Sequence, residues 1–204
     1  MPRISDSRRA ANRAVIVDAA RRCFARDGFH QTSMPDLVAE AGISAGAFYR
    51  YFGGKEELIR EIARDAFSGI GQAVIARIEL LEAPSAAEVV EVLTSTLSQG
   101  RVTIGDREID LEEQARVAVQ AWAEIARDET LRAESQRGLA GMAGGIAAAL
   151  TRGQRAGRVP ADLFPDDGAR LVLALLPGMI LQRSASGQDA TAAVGRAAAA
   201  LLEG

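Results

Sequence analysis

The chain has one cysteine, one histidine and no long apolar run, and each shortage excludes a class of protein. A lone cysteine, Cys23, cannot build a disulfide framework. On the apolar face of the first predicted helix it reads as a core thiol rather than a redox sensor. His30 has neither a cysteine nor an acidic cluster beside it, so no metal site is expected, because such sites need several donors. So little His and Cys leaves no material for a nucleophilic triad, and no glycine-rich phosphate loop follows a strand, since no strand pattern is visible. The paired carboxylates Glu56-Glu57 and Glu112-Glu113 fall on polar helix faces, where solvation is the default. No catalytic residue, metal or cofactor is therefore expected. The longest apolar stretch, Leu171 to Leu181, is too short to span a bilayer and contains Pro177. The first nine residues lack the apolar run of a secretory leader. A cytoplasmic protein with no membrane partner is the expectation.

What is present is 204 residues with 48% apolar content, enough to bury a real core, and a net charge of −3. The charge is unevenly spread. Residues 1 to 64 hold 11 Lys and Arg against 8 Asp and Glu, net +3, leaving 13 against 19, net −6, for the remainder. A modestly basic end on an acidic body fits contact with nucleic acid through one end only.

That end contains the most informative stretch, residues 33 to 55. Ser33 is placed to cap a short helix, with Asp36 three residues on as in a capping box and Pro35 in the first turn, where its missing N–H costs nothing. Leu37, Val38 and Ala41 form its apolar side, and Gly42 supplies a left-handed stop. Ser44 caps a second helix running to about Phe52, with Ala47, Phe48, Tyr51 and Phe52 on one flank. Two short helices joined by a tight turn with glycine make a helix-turn-helix unit. On the outer flank Ala45 and Gly46 leave the backbone bare, Tyr49 and Arg50 project one turn later, and Lys55 opens the next helix. Such a tip suits insertion in a major groove between phosphates. The spacing alone also fits a tight helical corner with a solvated face.

Residues 41 to 58, Ala-Gly-Ile-Ser-Ala-Gly-Ala-Phe-Tyr-Arg-Tyr-Phe-Gly-Gly-Lys-Glu-Glu-Leu, resemble the DNA-binding signature of the tetracycline-repressor (TetR) family. Ile16, Ala19, Ala20, Phe24, Gly28, Phe29, Thr32 and Ser33 fall where that family places its first helix and turn. Ala45 stands where the family commonly has lysine, and Tyr51 where it often has histidine. The resemblance covers roughly the first 65 residues. It implies an all-α fold: a three-helix DNA-binding domain, residues 1–54, followed by a helical effector-binding and dimerisation domain, residues 55–204. The implied function is a ligand-responsive regulator, a homodimer released from a palindromic double-stranded DNA operator when a small molecule binds. Carried onto this sequence, the DNA-binding candidates are Ser33, Ser44, Ala45, Gly46, Ala47, Tyr49, Arg50, Tyr51 and Lys55. Arg3, Arg8 and Arg9 of an N-terminal arm either reach phosphates or belong to a solvated tail. Two alternatives remain at this stage: a helical small-molecule-binding protein that does not read DNA, and an enzyme using the same cavity.

Helical periodicity continues to the C-terminus. The spacing predicts helices over 7–27, 55–81, 85–97, 108–127, 129–156, 166–186 and 189–202, with a loop at 100–105. Gly69 and Gly71 interrupt the first long helix either as a flex point or to admit a neighbour. Gly138, Gly141, Gly144 and Gly145 serve either close packing or a softened cavity wall. Phe67, Trp122, Met142 and Met179 are the candidate effector-pocket residues, since aromatic and thioether groups suit adaptable apolar pockets, and a largely apolar ligand is expected. Trp122, Glu124, Arg127-Asp128 and Leu131 are also loosely similar to one group of ligand-binding domains in the same family. The last two helices carry more apolar surface than one core contact needs. Leu171, Leu175 and Gly178 on the first, with Val194, Ala197 and Leu201 on the second, are the candidate dimer interface, a four-helix arrangement with a symmetry mate.

Overall fold

The computed structural model describes residues 6–104, 107–187 and 190–203, without side chains at 6, 66–69, 102–104, 107, 109, 186 and 203. The helices are α1 (Asp6–Asp27), α2 (Met34–Ala41), α3 (Ala45–Phe48), α4 (Lys55–Glu79), α5 (Ala86–Ser98), α6 (Leu111–Arg127), α7 (Glu129–Arg155), α8 (Pro165–Ser186) and α9 (Thr191–Glu203). The all-α architecture is the expected one. A short hairpin, β1 (Arg101–Ile104) with β2 (Arg107–Asp110), interrupts it where a loop was expected. Its antiparallel register pairs Arg101 with Asp110 and Ile104 with Arg107. These four-residue runs are too short to show alternation in sequence. Their pairing also delays α6, which begins at Leu111 rather than Glu108.

Local chemistry sets most boundaries. Ser85 and Glu88 form a reciprocal capping box at α5. Asp110 and Asp128 each accept two backbone N–H bonds at the starts of α6 and α7. One apolar cluster runs through the molecule. At the first end it buries Ile16, Ala20, Phe24, Phe29, Leu37, Phe48 and Phe52. Phe24 and Phe29 meet edge to face, with ring centroids 4.9 Å apart, which pins the chain reversal after α1 and adds about 0.5–1.5 kcal/mol to the burial of the two rings. Cys23 lies in the same core. Burial pushes its thiol pKa up, so it remains an inert core group.

α4 and α7 run side by side in the same direction. Arg64 meets Glu134, a Cβ at Gly71 would meet the Met142 sulfur, Gly145 lies against Ile75, and Arg152 donates to the Leu81 carbonyl. Gly71 and Gly145 are therefore close-packing positions. Gly138, Gly141 and Gly144 face open space. Gly69 lies outside the described side chains. Further along α7, a Cβ on Gly153 would sit 2.1 Å from the Pro84 carbonyl oxygen. That neighbour is backbone, held by Arg152 and Arg158 at the carbonyls of Leu81, Glu82 and Ala83. Gly153→Ala is expected to cost at least about 1–3 kcal/mol through overpacking. The thermal midpoint checks this; an unchanged midpoint would mean that the α4–α5 connection moves aside freely.

α8 turns Ala169, Val172, Leu176, Met179 and Ile180 inward, and α9 buries Thr191, Gly195, Ala198 and Leu202, with Gly195 tight against Thr94 of α5. Their opposite faces are apolar and uncovered. Leu171, Leu181 and Leu201 are 39%, 49% and 79% exposed. Ala174, Gly178, Ala193 and Ala197 are exposed beside them, with Leu175 and Val194 half-buried.

Candidate nucleic-acid interface and its link to a cavity

The tip of the molecule is built as its sequence dictates. Ser33 caps α2, its hydroxyl accepting from the Asp36 N–H while the Asp36 carboxylate accepts from the Ser33 N–H at 2.9 Å. Gly42, with φ of 64°, ends the helix in the left-handed region, where a Cβ would be strained. Ser44 then accepts the Ala47 N–H at 3.2 Å. α3 is shorter than expected. After Phe48 the Arg50 and Tyr51 N–H groups donate three residues back, to the carbonyls of Ala47 and Phe48, a tightened turn. The tightening lets Phe48 and Phe52 both enter the core before Gly53.

The nine candidate DNA-contacting residues separate into two groups. Ser44, Ala45, Gly46, Tyr49 and Arg50 are exposed together, with Ala47 half-buried among them. Arg50 has no ion pair among the described residues. A Cβ at Gly46 would meet nothing within 4 Å, so the backbone there is open to close approach. The other three are tied into the structure. Ser33 is committed to its cap, and the Tyr51 hydroxyl accepts from the Asn12 amide at 2.9 Å. The Lys55 ammonium donates to the carbonyls of Thr32 at 3.0 Å and His30 at 3.3 Å. It clamps the α1–α2 turn to the head of α4. Arg8 and Arg9 are exposed on α1, and Arg3 lies outside the described residues.

Polar side chains connect this tip to the body. Arg21 is only 7% exposed and donates to Gln114 of α6 and to Asp65 of α4, each at 3.0 Å. Gln120 of α6 grips the end of α1 from both sides, donating to the Phe24 carbonyl at 3.0 Å and accepting the Phe29 N–H at 2.6 Å. Arg13 holds Glu61 with both guanidinium nitrogens and lies over the Phe52 ring, 4.6 Å from its centroid. Arg64 continues the chain, 3.6 Å from Glu61 and 2.7 Å from Glu134 on α7. None of these residues was singled out in the sequence. Gln114 and Gln120 look like ordinary polar positions because their partners lie more than 90 residues away. The Arg13 bond holds the Glu61 carboxyl below its usual range. Its stabilisation is thus present above the unfolded carboxylate pKa near 4.3 and is lost as pH falls through the lower folded value. Glu61→Gln is expected to cost about 1 kcal/mol at neutral pH, discounted for partial exposure. Denaturant titrations of both proteins should draw together as pH falls below about 4.3 and meet only below the lowered folded value; a gap unchanged across that range would mean the pair adds nothing through its charge.

Arg64 and Glu134 also line a cavity of about 460 Å³ between α4 and α7, closed on one side by Ile125 of α6. Of the predicted pocket residues, Met142 lines it. Trp122 does not: α6 turns Ala118 and Ala121 to the core, and Trp122 sits one position around the helix, half-buried. Met179 is buried on α8 and borders a separate void of about 20 Å³. The Phe67 side chain lies outside the described ones. Gly138 and Gly141 belong to the wall, so part of the glycine stripe is cavity surface. No group of His, Cys, Asp and Glu suited to a metal occurs among the described residues, and none of the described helices is long and apolar enough to cross a membrane.

Residues 16–62 match the profile of bacterial regulatory proteins of the tetR family, and residues 103–203 match that of the C-terminal region of BetI-type transcriptional repressors. An HTH-type transcriptional repressor of Mycobacterium tuberculosis, Rv1474c, is 30% identical over 93% of this chain and 90% of its own length. The chain belongs to the TetR family. As a TetR-family protein it is a DNA-binding transcription regulator and not an enzyme. The fold is shared with solved relatives. A regulator from Saccharomonospora viridis in complex with choline superposes with a TM-score of 0.73 at 21% identity, over 95% of this chain and 96% of that one. A TetR-family regulator from Agrobacterium tumefaciens gives 0.73 at 21% identity, over 96% and 100%.

Proposed function

We propose that this TetR-family protein is a homodimeric repressor that leaves a palindromic operator when a small, largely apolar molecule enters the α4–α7 cavity. Residues 1–54 read DNA, and residues 55–204 hold the effector and the partner subunit. The observation that carries this reading is a connected path. The exposed Ser44–Arg50 tip is fixed to Phe48 and Phe52, Arg13 covers Phe52, and the Arg13–Glu61–Arg64–Glu134 chain ends in the cavity wall. An effector that binds one arrangement of α4 and α7 better than the other shifts the spacing of two recognition tips. Within each tip Ser44, Ala45, Gly46, Ala47, Tyr49 and Arg50 face the groove, while Ser33, Tyr51 and Lys55 set its geometry. The S. viridis regulator is seen with choline. In this chain no aromatic ring lines the cavity among the described residues, whereas quaternary ammonium groups are best held by aromatic faces.

The test is fluorescence anisotropy and footprinting on the DNA upstream of the protein's own coding region. Two protected half-sites about one helical turn apart, or a multiple of it, are expected. A single asymmetric half-site would contradict the dimeric mechanism.

A further inference from the structure

The geometry points to a particular effector chemistry: a single-chain amphiphile with one anionic head, a medium-chain carboxylate, received by Arg137 and Arg64. The inference rests on the α4–α7 cavity being the effector site. Its shape is the first argument. Because the two helices run in parallel, wall positions from Arg64 to Glu79 extend about 22 Å at 1.5 Å per residue. A volume of about 460 Å³ drawn out over that length suits an extended chain better than a compact ring system. Between Arg137 and Glu79 the wall is mainly Ile75, Ala76, Leu139 and Met142, with glycines between them and Gln72 as its polar member, and it offers an alkyl chain chiefly dispersion contacts.

Charge fixes the direction of the chain. At the end nearer the DNA-binding tip the wall holds Arg64, Glu134 and Arg137. Arg64 is already bonded to Glu134. Arg137 sits one turn beyond Glu134 on the same face of α7 and is exposed, with no ion pair among the described residues. Two guanidinium groups against one carboxylate leave a net positive end, and a guanidinium fork accepts a carboxylate in bidentate fashion. The far end carries Glu79, which repels an anion and leaves it a single place to bind. A cationic head would have to take the opposite orientation, beside an exposed Glu79, with no aromatic ring there among the described residues. An anion between Arg137 and Arg64 competes with Glu134 for Arg64. Arg64 in turn shares Glu61 with Arg13. Occupancy therefore bears directly on the ion-pair chain that reaches Phe52.

The experiment uses the full-length protein with decanoate, decanol, decyltrimethylammonium and choline, titrated calorimetrically below micellar concentrations. Decanoate is expected to bind, and Arg137→Gln to weaken it about tenfold or more while leaving decanol unaffected. Hydrogen exchange over residues 33–52 should change with decanoate and not with decanol. Decanol or decyltrimethylammonium binding as tightly as decanoate, with Arg137→Gln indifferent, overturns the anionic head but keeps the cavity. Gly141→Leu adds a side chain at the cavity wall. If it leaves decanoate binding intact, the ligand lies elsewhere and the cavity reading itself falls. Binding of none of the four probes overturns the amphiphile class.

Discussion

Arg50→Ala is expected to weaken operator binding by about 1–3 kcal/mol per half-site and to relax base preference at one position in each, while leaving the thermal midpoint of the free protein where it was. Nothing in the fold leans on Arg50: it is exposed and without an ion pair among the described residues. Lys55→Met should behave in the opposite way. Its ammonium has three donors, and two are spent on the carbonyls of His30 and Thr32. Losing them loosens the α1–α2 turn, at about 1–2 kcal/mol after allowing for partial exposure, or a fall of about 2–8 °C in the thermal midpoint. That leaves one donor for a phosphate beside the head of α4, where the helix dipole favours an anion. Lys55→Met should therefore also lower affinity equally for operator and scrambled DNA and reduce the salt slope by about one per half-site. The measurement is binding by both variants across a salt series, with thermal melts of the free proteins. If Arg50→Ala weakened all sequences alike, base reading would pass to Tyr49 and the Ala45–Ala47 tip. A Lys55→Met protein that melts like the parent would remove the clamp from the account.

The contrast between these residues shows what a sequence can reveal about this molecule. Ser33, Gly42 and Ser44 announced their roles because a cap or a left-handed stop is decided within three or four residues. The start of α5 was legible for the same reason, through the Ser85 cap, whereas the end of α3 and the start of α6 were not. Lys55 was expected among the DNA-contacting residues. Its binding to carbonyls 23 and 25 residues earlier depends on how the Phe24–Phe29 reversal folds back, and no local pattern encodes that. The cavity between α4 and α7 was less legible. Large residues such as Trp122 and Met179 were natural candidates, but α6 packs through Ala118 and Ala121 and α8 draws Met179 inward. The wall instead uses Gly138, Gly141, Ile75 and the Arg64–Glu134 pair, whose meaning appears only when α4 and α7 lie side by side. The hairpin before α6 is another non-local product, since each strand exists only through the other.

The largest effect is expected at the far end of the molecule. A regulator whose partner-facing surface is made polar should remain folded and lose its operator. On α8 and α9 the inner faces are already committed, Val172, Leu176 and Ile180 to the core and Gly195 to Thr94 of α5. Leu171, Leu175 and Gly178 with Val194, Ala197 and Leu201 thus form a second apolar face that the monomer leaves uncovered. Paired about a two-fold axis, two such faces make a four-helix interface of well over about 1,000 Å². Symmetry doubles the effect of each change, because the same residue recurs across the axis. Leu175→Glu places two carboxylates near one another in an apolar setting and should yield a monomer in sedimentation at micromolar concentration. Since Leu175 is half-buried, Leu201→Glu serves as the companion: at 79% exposure it cannot disturb the core. Separating the subunits removes the tether between the two recognition tips, so operator affinity should fall by about 10²–10⁴-fold, while affinity for an isolated half-site stays the same. Dimers persisting in both variants would assign the interface to another surface. Monomers that still bind the full operator at the parental affinity would mean that each tip acts alone, and an effector could then release DNA only by changing the tip itself, through Arg13 and Phe52, with no change in the spacing of two subunits.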